Sequence, residues 1–190
     1  MTEEENAKSM KKIFWLITED SYEKLRLIEG CETLFDLKAT VTDGKHMLAL
    51  ADAVGVQDEY RFIDISPTLK DLKANYLKIL KLCKAFSLEG VPHLLIVYVG
   101  GHGATLDEKQ VYLLNDSDAK KAQFHIEFKL RYIANDPTSI TRIKAVFDCC
   151  RINLNSMAGL ANARGKTEGA MEDMESDGSN DDEPCKYFQI

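Results

Sequence analysis

The sequence has no long apolar run. No stretch approaches the roughly 18 to 20 residues that a membrane-spanning helix needs. The first apolar stretch, residues 13–17, is too short for a signal peptide and follows a Glu-rich start. A cytoplasmic chain that makes no use of membrane is therefore expected. Cysteine and histidine are scarce, five and four, and their spacings fit no zinc-finger pattern. An odd number of cysteines, irregularly placed at Cys31, Cys83, Cys149, Cys150 and Cys185, is not a disulfide framework. There is no basic stripe interleaved with aromatics, which argues against nucleic acid. The glycine-rich Gly100-Gly101-His102-Gly103 lacks the Lys-Ser/Thr ending of a phosphate loop.

What remains is a globular composition. With 190 residues, 45% hydrophobic and 29% charged, the chain fits one domain with a substantial core. Its net charge is −7, and residues 168–183 alone hold eight acids and no base. The acidity belongs to that segment and leaves the rest close to neutral.

Two stretches stand out. Arg142-Ile143-Lys144-Ala145-Val146-Phe147-Asp148-Cys149-Cys150-Arg151 runs from polar through apolar and stops at an acid, two thiols and a guanidinium. Leu94-Leu95-Ile96-Val97-Tyr98-Val99 is a continuous apolar run that stops at Gly100-Gly101-His102-Gly103. Apolar runs ending abruptly at reactive residues read as buried parallel strands whose carboxyl ends open onto a site. One delivers a histidine and the other a cysteine to the same sheet edge, as a thiolate–imidazole pair requires.

These two motifs resemble the caspase-like cysteine peptidases, the caspases, metacaspases and paracaspases, over roughly residues 12 to 155. Caspases carry Gln-Ala-Cys-x-Gly with a histidine about 50 residues upstream. Here Cys150-Arg151 keeps the Cys-Arg step without the Gln or the final Gly. Residues 145–150 are similar to the metacaspase strand, whereas Arg151-Ile152-Asn153 is nearer the paracaspase continuation. The resemblance implies a three-layer α/β/α fold with a mostly parallel central sheet. It implies a cysteine-type endopeptidase acting on protein or peptide substrates with no cofactor. The family pattern Asp-x-Cys makes Cys150 the nucleophile and His102 its base, with the Gly103 and Cys150 amides as the oxyanion hole. Asp43 and Asp148 become the pocket for a substrate Arg or Lys. Caspases that read an acidic residue use an arginine six positions before the helix-opening acid; that position is Leu37 here. The acid cluster that holds calcium in many metacaspases is represented in residues 122–130 only by Glu127, with Asp116 and Asp118 nearby, so no metal site is carried over.

Each assignment has a plainer counterpart. A cysteine at a strand end is often a small buried hydrophobe, the reading given to Cys149, because neighbouring strand residues face opposite ways. His102 could be a satisfied core histidine, although its flanking glycines argue for close approach of a substrate. Asp43 could be a helix N-cap, a role compatible with binding. His46, His93 and His125 read as structural or solvated. A Cys149–Cys150 redox pair would need a strained disulfide between bonded neighbours.

Along the chain, residues 1–11 read as a flexible N-terminus and 12–155 as the catalytic, large-subunit domain. Strands are expected at residues 13–17, 60–65, 94–99 and 110–114 and over the cysteine motif. A short helix is expected at 23–29. Asp43-Gly44 opens a helix closed by Gly55, and Ser66-Pro67 starts a long one whose apolar residues recur every three or four from Leu69 to Phe86. A further helix spans 124–134. Residues 156–184 read as an acidic flexible linker. Within it Arg164 and Lys166 are candidate self-processing sites, with an uncut linker as the alternative. Residues 185–190 read as the start of a truncated small-subunit strand, so a partner chain or oligomer is expected to supply the missing strands. The rival to an active peptidase is a catalytically inactive caspase-fold binding module.

Overall fold

A computed structural model describes residues 10–106 and 109–153, with the backbone alone at 106, 109 and 150–153. Six strands form one mixed sheet: β1 (Lys11–Thr18), β2 (Arg61–Ile65), β3 (His93–Leu106), β4 (Lys109–Leu113), β5 (Gln123–Phe124) and β6 (Thr141–Asn153). Three helices pack on it: α1 (Ala39–Ala53), α2 (Leu69–Leu88) and α3 (Ile126–Asn135). β2, β1, β3 and β6 pair in that order, all parallel. β6 follows one edge of β3 from His93 to Thr105. On the other edge β1 accompanies β3 as far as Gly100, and β4 takes over, antiparallel, from Gly103. The handover falls on Gly101 and His102.

The parallel strands are apolar because both faces are covered. Ile13, Trp15, Ile17, Leu95, Val97, Val99, Ile143 and Ala145 face the stripes of α2 and α3 in the largest core cluster. Phe14, Leu16 and Tyr98 face the other way, against Ala51, Met47 and Leu48 of α1. A third cluster packs Tyr22, Leu25, Ile28, Cys31 and Leu34 onto Ala104 and the β4 residues Val111 and Leu113. α1 packs on β1 and β3; on its side of β6, Lys144, Val146 and Asp148 are exposed.

Several boundaries differ from those expected. α1 begins at Ala39, so Asp43 lies in its second turn and does not cap it. The cap of α2 is Thr68, which forms a reciprocal capping box with Asp71, while Ser66 takes a positive φ of 47°. That box satisfies two otherwise orphaned amides, an advantage Ser66 cannot match because the residue three positions on, Leu69, has no side-chain acceptor. Residues 23–29 contain one 3₁₀ turn, Leu25–Leu27. Phe124 belongs to β5, and the last helix starts two residues later. β3 runs on through His102, whereas the glycines had implied that it stops before them. β4, at the place of the strand expected over 110–114, pairs antiparallel with it. The N-terminal segment through residue 9, the linker with Arg164 and Lys166, and residues 185–190 lie outside the described residues.

Candidate active site

The parallel register makes His102 and Cys150 cross-strand partners. β3 and β6 thus bring the expected base and nucleophile to the same level of the sheet. Cys149, on the opposite face by strand alternation, packs against the large core and donates its thiol to the Val99 carbonyl at 3.4 Å. Cys31 and Cys83 are buried, and burial pushes both thiols up to about 11. Neither is a nucleophile at neutral pH.

His102 is 2% exposed. Its backbone N–H donates to the Tyr22 hydroxyl at 2.6 Å, and that hydroxyl is 3.3 Å from the Glu19 carbonyl, to which it donates. The imidazole lies 4.5 Å, centroid to centroid, from the Tyr22 ring and edge-on to Phe35 at 5.2 Å. Nε2 is 2.8 Å from the Phe35 carbonyl. A carbonyl only accepts, so Nε2 carries the proton and Nδ1 is the basic nitrogen of the neutral ring. Burial holds the imidazole below its ordinary range, opposed by the Phe35 carbonyl and then by the charge of Asp36. Gly101 is required here: at φ 154°, an added Cβ would lie 2.8 Å from the Tyr22 hydroxyl and 2.9 Å from the Tyr112 ring.

The loop that presents the Phe35 carbonyl is tied on both sides. Arg26 donates to the Leu34 carbonyl at 2.8 Å and pairs with Asp36 at 3.1 Å. Asp36 also accepts the Tyr22 N–H, and Leu37 donates its N–H to the Asp20 carbonyl. Beneath this shell Glu19 is fully buried, accepting the Ser21 and Asn115 amides at 3.4 and 3.3 Å. Burial raises its pKa, only partly countered by those bonds. Asn115 in turn accepts the Lys24 and Leu25 amides. Glu19 and Asn115 therefore fix the segment that carries Tyr22.

The two acids expected to bind a basic side chain lie on β6 and on α1. Asp148 is exposed at its strand position and accepts a hydrogen bond from Tyr98 at 3.0 Å. Half-buried Asp43, on α1, is close enough for its charge to act on the same hydroxyl. Among the described residues neither acid has an ion-pair partner. Gly103 lies within β3, opposite Tyr112 on one side and Arg151 on the other. Among the described residues no group of His, Cys, Asp and Glu is placed to hold a metal ion.

Tyr22, Phe35, Glu19 and Tyr98 did not stand out in the sequence. Tyr22 is the lone aromatic in the polar stretch after β1, which is a usable signal. Phe35 contributes a backbone carbonyl, which any residue carries. Tyr98 is hidden in an apolar run, and Glu19 sits in a segment that reads as a solvated turn. No family model and no curated protein matches the chain.

Proposed function

We propose that this chain is a caspase-like cysteine endopeptidase of the metacaspase and paracaspase type, which hydrolyses peptide bonds after Arg or Lys. The observation that carries the reading is the pairing of His102 with Cys150 across adjacent parallel strands. The Phe35 carbonyl supports it by selecting the tautomer in which Nδ1 is basic. On this reading His102 Nδ1 takes the Cys150 thiol proton, and the thiolate attacks the scissile carbonyl carbon. The Gly103 and Cys150 amides stabilise the oxyanion, one such donor being worth about 10²–10³ in rate. As the C–N bond breaks, the imidazolium returns its proton to the leaving amine and a thioester remains. Water then attacks the thioester, giving one proton to Nδ1, which passes it back to the departing sulfur.

Asp43 and Asp148 receive the basic side chain before the scissile bond. Their charges attract a cation and repel an acidic residue, and a guanidinium can bridge carboxylates through its planar fork. The caspase-like three-layer arrangement, the cytoplasmic setting, self-processing at Arg164 or Lys166 and completion of the sheet by a partner chain belong to the same proposal.

The test is a peptide probe with a terminal Arg and a thiol-reactive group. Labelling is expected for the wild-type chain and for Cys149→Ala, and is expected to vanish in Cys150→Ala. Labelling that follows Cys149 sinks the assignment. The rival, a binding module without catalysis, draws support from the exposure of Lys144, Val146 and Asp148 along β6. It predicts no labelling of any of the three proteins.

A further inference from the structure

Tyr98 is 4% exposed, with its ring in the α1-side core beside Phe14, Leu16 and Ala51. Strand residues two apart share a face, so Tyr98 and Gly100 face alike, and Gly100 pairs across the strands with Asp148. The ring lies along its own strand over Gly100. A Cβ there would stand 2.9 Å from Tyr98 Cε1 and 3.2 Å from the hydroxyl. The missing side chain at Gly100 is what lets a tyrosine two residues back reach the neighbouring strand and donate to Asp148 Oδ2.

This bond joins a rigid, buried phenol to an exposed carboxylate. An exposed Asp side chain ordinarily loses rotamer freedom when it grips a ligand. A donor fixed by the core removes part of that cost beforehand and leaves the charge intact. The hydroxyl keeps its proton because burial first, then Asp148 and then Asp43 push its ionisation upward.

We infer that Tyr98 is a specificity-determining positioning residue: its hydroxyl holds Asp148 Oδ2 so that the carboxylate's other oxygen and Asp43 receive the substrate's basic side chain in a fixed geometry. The inference rests on the peptidase reading and adds a discrimination to it. A guanidinium needs a set plane and spacing of acceptors, whereas an ammonium is a point charge that tolerates displacement. Tyr98 therefore favours Arg over Lys.

The experiment compares wild type, Tyr98→Phe and Gly100→Ala on matched peptides ending in Arg and Lys. It also measures calorimetric binding of acetyl-arginine amide and acetyl-lysine amide. Tyr98→Phe keeps the ring and deletes only the donor. The expected result is a KM for the Arg peptide raised about 3- to 10-fold, the scale of one hydrogen bond. The Lys peptide should change less, and kcat should stay within about twofold on both. Gly100→Ala, which displaces the ring from outside, should erode the same preference by the same route. Equal losses on Arg and Lys would reduce Tyr98 to a packing residue, and an unchanged Arg preference in both variants would remove its role outright. A wild-type chain that takes the thiol-reactive probe, with variants indistinguishable from it, overturns the Tyr98 assignment alone. A wild-type chain that binds neither amide and takes no probe brings down the peptidase reading, and this inference with it.

Discussion

β3 carries a buried histidine near each end, and the two are nearly equal by the measures that usually single out a functional residue. His93 and His102 are 1% and 2% exposed, and burial lowers the pKa of both. Their neighbours differ. At the amino end, His93 donates from Nδ1 to the Val91 carbonyl at 2.9 Å, and its Nε2 accepts from the Thr141 hydroxyl at 2.6 Å. Both nitrogens serve to join β3 to the loop before it and to the start of β6. At the carboxyl end, His102 has its Nε2 turned to a loop carbonyl, its ring between two aromatics and a cysteine opposite on β6. A depressed pKa is thus common to a structural and a candidate catalytic histidine. The discriminating facts are which strand end carries the residue and what stands across from it, since parallel sheets place their sites at the carboxyl ends.

The strongest test exchanges the two. His102→Ala should cost about 10²–10⁴ in kcat/KM, the usual contribution of a general base. His93→Ala should leave kcat/KM within about twofold while lowering stability by about 1–3 kcal/mol, because it empties a buried site and removes the ring partner of the half-buried Val91 carbonyl and Thr141 hydroxyl. Kinetics on Arg peptides and chemical denaturation read the two effects separately. A folded His93→Ala protein as inactive as His102→Ala would abolish the distinction.

The glycines at the two ends sharpen it. Gly90, in the turn before β3, has φ 68° and nothing within 4 Å of an added Cβ. Gly90→Ala should cost only the left-handed backbone penalty of about 1–2 kcal/mol, with activity kept. Gly101→Ala would drive a methyl into the Tyr22 hydroxyl and the Tyr112 ring. An overpacking cost of about 1–3 kcal/mol is expected, together with a fall in kcat/KM of about 10-fold or more as the Tyr22–His102 bond is displaced. Equal kinetic losses in the two variants would show that the carboxyl end is no more constrained than the amino end.

Much of this asymmetry was legible in the sequence because strands announce themselves by what stops them. The apolar runs ending at Gly-His-Gly and at Asp-Cys-Cys placed His102, Cys150 and Asp148 together, and the observed register agrees. Alternation assigned Cys149 to the other face, where it packs. Helix starts were less legible. The expected starts were Asp43-Gly44 and Ser66-Pro67, and at α2 the reciprocal Thr68–Asp71 pair prevailed over Ser66. α1 starts at Ala39, and its N-cap residue Lys38 makes no side-chain cap, so no local signal marks it. The supporting shell was illegible for a different reason. The Phe35 carbonyl, the Tyr22 hydroxyl and Glu19 act through contacts between residues 67 to 96 positions apart, which no window of sequence contains.

The smallest effect concerns acid stability. The sign follows from which state binds protons more tightly. His93 and His102 are both lowered from the ordinary 6.5, so the unfolded chain holds their protons more tightly. Their contribution is complete above about 6.5 and is lost as pH falls through the lowered values. Glu19 is raised from the ordinary 4.5, so its contribution is complete below that value and is lost as pH rises through the raised one. Below about 6.5 the two histidines therefore destabilise the fold as acid is added, while Glu19 acts in the opposite sense between its raised value and 4.5. Two acid-sensitive groups stand against one, so a lower Tm at pH 5.5 than at pH 7.5 is expected. His93→Gln removes one of the acid-sensitive groups and should shrink the difference in Tm between the two pH values. Glu19→Gln removes the opposing group and should widen it, whatever it does to stability at pH 7.5. Thermal unfolding of the three proteins at both pH values decides the matter. If His93→Gln leaves the difference unchanged, the amino-end histidine is not held neutral by burial, and the equivalence from which the comparison of the two ends begins is lost.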